Sequence, residues 1–174
     1  MSVVRRNTEP LAIVFKDDGL IPNNPLPFLI YRSAVNLDRN HPEETIEGLF
    51  AMNGWGGVWC DGIYDYLHYH STVHEVLGVA RGRAHVRFGG DRGDVMEISA
   101  GDVAILPAGT GHQLVFANED LRVIGAYPPG AAMQITHPTP ENHTKALMTI
   151  PAVELPPSDP VMGKDGPLLR LWRQ

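Results

Sequence analysis

The sequence predicts a mainly all-β protein, a barrel or sandwich of short strands, and three observations predict it. Between residues 57 and 135 short apolar runs follow one another, separated by Gly, Asp and Pro, with no helical run among them. The 18 glycines and 15 prolines are spread along the chain as punctuation, which suits a fold of many turns better than a helical bundle. The segment Arg83-Ala84-His85-Val86-Arg87-Phe88 alternates polar and apolar residues, so it has one wet face and one core face.

Taken in order, residues 1–10 are polar and expected to fray. Residues 11–15 and 28–31 are strand candidates, separated by a loop rich in Pro and Asn. Residues 42–53 break the pattern. Pro42 suits a first helical turn, Glu43 and Glu44 favour the positive end of a helix dipole, and Ile46, Leu49 and Phe50 follow helical spacing up to Gly54. One helix is expected there, packed on the sheet. Nine strands then follow: 57–60, 64–70, 73–80, 83–88, 95–99, 103–106, 112–117, 121–127 and 132–135. Residues 141–148 can form a short helix. The tail 151–174 is rich in proline but ends in Leu168, Leu169, Leu171 and Trp172, whose burial requires an ordered strap. The whole reads as one domain, 1–174, with a barrel core at about 57–136, N-terminal strands and helix at 11–54, and a C-terminal strap at 138–174.

The bulk properties exclude several functions. A net charge of −6 with no basic stripe argues against nucleic acid. No apolar run approaches the roughly 20 residues of a membrane span, and no signal-type segment is visible, so the default location is cytoplasmic. Cys60 is the single cysteine and cannot form an internal disulfide; it is expected to be a small buried apolar residue.

Histidine carries the chemistry. His68 and His70 are two apart, which on a strand puts them on one face with backbones roughly 7 Å apart, close enough to converge on one ion. Ser71 and Thr72 look like a turn, and Glu75 can return a carboxylate to the same place. His112 follows the turn Pro107-Ala-Gly109-Thr-Gly111 and is a weak signal alone. His74 stands directly before Glu75, and on a regular strand only one of the two can look inward; a bulge would reverse the choice. His85 reads as part of a solvated stripe, and His41, His137 and His143 as surface residues.

Together, the two segments resemble the cupin superfamily. Gly62, His68, His70, Glu75 and Gly82 keep every spacing of that family's first motif. Gly101, Pro107, Gly109 and His112 keep the second, whose last position is Phe116 here rather than Asn. More narrowly, the chain resembles small uncharacterised bacterial cupins, through Asn53-Gly54-Trp55, the run 68–78, Gly125-Ala-Tyr127-Pro and the tail 159–168. The resemblance implies a double-stranded β-helix (jelly roll) with a metal inside, held by His68, His70, Glu75 and His112. It selects Glu75 over His74, which is left outward or at the rim.

Three imidazoles and a carboxylate suit one divalent transition metal ion: Fe, Mn, Ni, Co, Cu or Zn. Six-coordination would leave two positions open for water, substrate or dioxygen. Parity places Tyr64, Tyr66, Leu77, Val79, Leu114 and Phe116 on the inward face, opposite Ala84, Val86 and Phe88. Tyr66 is the candidate catalytic hydroxyl. The expected function is a metal-dependent oxygenase, isomerase or lyase acting on a small organic molecule. The alternatives are a non-catalytic small-ligand-binding barrel and a metal kept for stability only. Apolar residues on both faces of 73–80, and in the N-terminal strands, also suggest a homodimer.

Overall fold

The computed structural model describes residues 2–130 and 132–173. Short β-branched and aliphatic runs give nine strands: β1 (Leu11–Ile13), β2 (Phe28–Tyr31), β3 (Gly56–Asp61), β4 (Glu75–Arg81), β5 (Arg83–Phe88), β6 (Asp94–Ser99), β7 (Val103–Leu106), β8 (His112–Ala117) and β9 (Arg122–Tyr127). Three helices join them: α1 (Pro42–Met52), α2 (Pro140–Thr149) and α3 (Pro167–Leu171). Proline opens all three, at the position where a missing N–H costs nothing. Thr139 caps α2 by accepting from the Asn142 N–H at 3.1 Å.

The strands form two antiparallel sheets, ordered β1-β2-β7-β4-β9-β3 and β6-β5-β8. Their facing sides enclose an apolar core: Leu77, Val79 and Leu106 of the larger sheet pack with Val86, Phe88 and Ile98 of the smaller. The larger sheet is buried on its other side as well. There Ile46, Leu49 and Phe50 of α1, with Val161, Leu168 and Trp172 of the C-terminal segment, cover Val76, Val103, Ile105 and Ile124. Burial on both faces is why β2 reads FLIY and β7 VAIL, continuous apolar runs rather than alternating ones. Each large side chain so buried stabilises the fold by roughly 1.5–3 kcal/mol. Val73, Val76, Val79 and Ala80, which suggested a homodimer, are all buried within the chain, whereas Leu11 and Val14 at the N-terminal edge are exposed.

The strap is held by polar groups as well as apolar ones. Asp159, fully buried, accepts from the Tyr31 hydroxyl at 2.6 Å and from the N–H groups of Val161, Met162 and Leu168 at 2.8, 3.0 and 3.1 Å. Trp55 Nε1 donates to Ser158 O at 3.0 Å and Trp172 Nε1 to Pro27 O at 2.9 Å.

Several sequence expectations are corrected. Residues 64–67 are not a strand but a bend, and only His68 and Tyr69 make isolated bridges, to His112 and Thr136. Residues 132–135 form no strand. In β8 the register slips: Val86 pairs with Leu114 while His85 pairs with Phe116, so Val115 is the extra residue of a bulge. A bulge inverts parity beyond it. Leu114 therefore packs on the core while Phe116, expected inside, is 59% exposed. Cys60, expected to be buried, is exposed on the edge strand β3. No helix among the described residues is long and apolar enough to cross a membrane.

Candidate metal centre

His68, His70, Glu75 and His112 come together at one end of the space between the sheets, each at most 6% exposed. Local folding explains each position. Segment 68–70 is zipped on both sides: His68 exchanges backbone bonds with His112 at 2.9 and 3.2 Å, and Tyr69 does so with Thr136 at 2.8 and 3.1 Å. Glu75 is the first residue of β4, opposite Leu106 of β7. His112 is the first of β8, opposite Phe88 of β5. The turn before His112 needs Gly109, whose φ of 93° is in the left-handed region.

That turn is clamped by residues the sequence reading passed over. Asn23 Oδ1 accepts from Gly111 N at 3.2 Å, its Nδ2 donates to Lys16 O and Gly89 O, and Asn24 Nδ2 donates to Ala108 O at 2.8 Å. The only sequence signal was two asparagines in a Pro-rich loop. Asn23 adopts φ 53°, a conformation asparagine tolerates better than most residues.

The three imidazoles are oriented alike. Nδ1 of His68 lies 3.0 Å from Tyr66 O, that of His70 2.8 Å from Gln134 O, and that of His112 3.1 Å from Thr110 O. A carbonyl can only accept, so each Nδ1 carries the proton and each Nε2 the lone pair. One ring nitrogen from each histidine lies within 4.8 Å of the others, and the three can hold a metal ion. Glu75 adds its two oxygens: Oε2 is 3.4 Å from His70 Nε2 and Oε1 is 3.4 Å from His112 Nε2. Ligands at metal–ligand distances of roughly 2.0–2.2 Å stand about 3.0–3.5 Å apart, so this spacing fits a shared ion. Glu75 Oε1 is buried and has no hydrogen-bond partner among the described residues. An orphaned carboxylate oxygen beside the His112 Nε2, next to a cluster of three imidazoles, is an arrangement that a cation would complete.

Electrostatics keep His68 neutral and Glu75 charged, while the Glu75 carboxylate draws His70 towards its protonated form. Burial, followed by the neighbouring His112, pushes the His68 pKa down to about 3 and keeps the ring neutral. Burial also pulls on His70, but the Glu75 carboxylate and the Gln134 carbonyl carry its pKa above the ordinary value. Burial works to raise Glu75, yet His70 and His112 hold it well below the usual carboxylate range.

A cavity of about 380 Å³ opens onto all four residues. Its walls include Trp59, Leu77, Tyr127, Met133 and Ile135. Tyr66 does not line it. The bend at 64–67 breaks the parity that placed Tyr66 inside; its ring stacks on Tyr64 at 4.8 Å and is 36% exposed. The hydroxyl that does face the cavity is Tyr127, at the end of β9, whose pKa is raised by burial and then by the Glu75 charge.

His74 is neither a neighbour of the cavity nor at the rim. It is 1% exposed on the far side of the sheet, its ring 4.8 Å from that of Trp172, and its Nδ1 accepts from Ala108 N at 2.9 Å. Burial lowers its pKa to about 4. An unfolded histidine titrates near 6.5. Between these values the unfolded chain binds protons that the folded chain refuses at His74 and His68, so stability is full above pH 6.5 and is lost as pH falls. The urea midpoint of metal-free protein is expected to drop between pH 7 and pH 5. His70, whose pKa is raised, works the other way, so the deciding comparison is with His74→Gln, in which the drop should shrink.

No family model matches the chain. An uncharacterised protein of Bacillus subtilis, YjlB, is 36% identical over 165 residues, covering 94% of this chain and 97% of its own length. The chain belongs to the same family as YjlB, and its fold is that of a cupin. Solved cupin-like structures align more loosely. A double-stranded β-helix protein of Klebsiella pneumoniae is 17% identical over 79% of this chain and 87% of its own, with a TM-score of 0.36. The dTDP-4-dehydrorhamnose 3,5-epimerase of Elizabethkingia anophelis is 16% identical over 70% and 74%, with a TM-score of 0.42. Acireductone dioxygenase of Bacillus anthracis, which holds cadmium in its active centre, is 16% identical over 55% and 60%, with a TM-score of 0.34. Such distant likeness says nothing about reaction or substrate. In this cupin the four motif residues, two sheets and a cavity between them are the features that bear on function.

Proposed function

We propose that this cupin is a metal-dependent enzyme, an oxygenase, isomerase or lyase, that holds one divalent transition metal through His68, His70, Glu75 and His112 and acts on a small organic molecule. One observation carries the reading: all four residues line the same cavity, so a bound ion would face open space rather than a closed shell. Such an ion would supply Lewis acidity to an oxygen of the guest. The chain supplies the rest. Backbone carbonyls fix the imidazole tautomers, Glu75 brings a negative charge into a buried site, and the apolar walls exclude water.

The test is to reconstitute the protein separately with Fe, Mn, Co, Ni, Cu and Zn and incubate each form with pooled small metabolites. Mass change and oxygen uptake are followed, with His112→Ala as the control. Metal-dependent turnover supports the enzyme. A stoichiometric ion with binding but no conversion favours a ligand-binding barrel instead.

The choice between Glu75 and His74 is tested separately. Glu75→Ala is expected to lose the ion to a chelator at concentrations that leave wild type loaded. His74→Ala is expected to keep the ion but unfold at lower urea, because its ring packs on Trp172. The opposite pattern would remove Glu75 from the ligand set.

A further inference from the structure

Each imidazole of the candidate metal centre is fixed by a backbone carbonyl at Nδ1. Glu75, the anionic member, has two oxygens to place, and a side chain places them. The register of β4 against β9 sets Val76 opposite Ala126 and Leu77 opposite Gly125, and one residue further brings Glu75 opposite Tyr127. Both side chains line the cavity, so they share the inward face. Residues opposite each other on one face have Cβ atoms roughly 4.5–5.5 Å apart, within reach of a phenol.

Tyr127 is held in turn by Trp59, whose Nε1 donates to the phenol oxygen at 2.8 Å. An indole N–H can only donate, so the phenol's own proton points elsewhere, and its acceptor is the Glu75 carboxylate. Burial, and then the Glu75 charge, keep that phenol protonated. Glu75 Oε1, 3.4 Å from His112 Nε2, has no hydrogen-bond partner among the described residues.

Two glycines make room for this chain of hydrogen bonds. Trp59 pairs with Gly125 across β3 and β9, and a Cβ at Gly125 would stand 2.0 Å from the indole. A Cβ at Gly57, whose φ is 64°, would stand 3.1 Å from Cδ2 of Tyr127. Gly57-Val-Trp59 and Gly125-Ala-Tyr127 are thus two halves of one device, each glycine clearing space for the aromatic ring of the other strand.

We infer that Tyr127, anchored by Trp59, is a positioning residue for the metal: it occupies Oε2 of Glu75 and so presents Oε1, beside His112, as the ligating oxygen. This rests on the reading of His68, His70, Glu75 and His112 as ligands and adds the group that orients the charged one. Without the phenol the carboxylate is free to turn, and that freedom is lost each time an ion binds. A hydrogen-bonding partner behind a ligand commonly carries roughly 10–100-fold in metal affinity.

The test uses the full chain and cobalt(II) alone, whose visible bands report its ligands as well as its occupancy. Affinity is read by competition with a chromophoric chelator. Tyr127→Phe keeps the ring and removes the hydroxyl. It is expected to bind cobalt about tenfold more weakly and, at saturation, to shift the visible bands. Tyr31→Phe removes a buried hydroxyl at the strap instead and should leave both unchanged, which separates a general loss of stability from a change at the site. In a Glu75→Ala background, titrated directly, Tyr127→Phe should cost nothing further, because the hydroxyl acts only through that carboxylate. Unchanged affinity and bands in Tyr127→Phe, an equal loss in Tyr31→Phe, or an equal loss with and without Glu75 overturns the proposal. Wild-type protein that binds no cobalt overturns the metal reading and this one with it. Cobalt held alike by wild type and Tyr127→Phe overturns this one alone.

Discussion

His112→Ala is expected to release the bound ion while the chain stays folded. The affinity loss should be about a hundredfold or more, since the roughly 10–16 kcal/mol of a four-ligand zinc site is shared among about four donors. His112 is the ligand whose removal separates binding from folding most cleanly. Its backbone bonds to His68 survive the substitution, and its place opposite Phe88 in β8 depends on main chain alone. The side chain contributes Nε2, 3.4 Å from Glu75, and a ring face 4.1 Å from His68. Elemental analysis after dialysis gives the stoichiometry, competition with a chromophoric chelator gives the affinity, and circular dichroism reports the fold. His68→Ala should behave alike. Wild-type protein without a tightly held first-row metal, or a His112→Ala protein that keeps it, would refute the site.

Asp159→Ala is expected to be the most destabilising single change in the strap, by about 3–5 kcal/mol, because it strands several buried donors at once. Four donors converge on this carboxylate: the Tyr31 hydroxyl from β2 and three backbone N–H groups of the strap. The anion is fully buried and has no cation beside it among the described residues, so these hydrogen bonds are what make its burial tolerable. Tyr31 records the same pairing from the other side: burial, then the Asp159 charge, raises its pKa. Tyr31→Phe leaves Asp159 three donors and should cost only about 1–2 kcal/mol. Urea midpoints of the two variants give the comparison. Equal losses would mean that the carboxylate does not organise the strap. The consequence reaches beyond the tail, because Leu168 and Trp172 cover the outer face of the larger sheet and Trp172 packs on His74, next to Glu75.

The strand boundaries were legible in the sequence wherever apolar runs are bounded by glycine, aspartate or proline. The observed β2, β5, β7 and β8 begin and end at the expected residues. Helix α1 was legible from Pro42, Glu43 and the spacing of Ile46, Leu49 and Phe50, because periodicity of that kind is local information. Residue pattern suggested that His68, His70 and Glu75 could converge, while the addition of His112 was implied by the resemblance to cupins, since a lone histidine after a turn carries little signal.

What local pattern could not carry was decided in three dimensions. Parity counts from His68 and His112 held at Tyr64 and Leu114 but failed at Tyr66 and Phe116, where residues 64–67 bend and Val115 bulges. Tyr66 thereby moved out. Tyr127 took the place facing the cavity, from a strand whose register with the histidine segment no local pattern records. Much of the apolar surface that suggested a second copy is covered by α1 and by the strap, the strap tied down through pairs more than a hundred positions apart such as Tyr31 and Asp159, while Leu11 and Val14 stay exposed. A sequence by itself determines which residues want burial and which can bind an ion. Only the tertiary structure decides what covers them, because burial is a property of the neighbours that the whole chain brings.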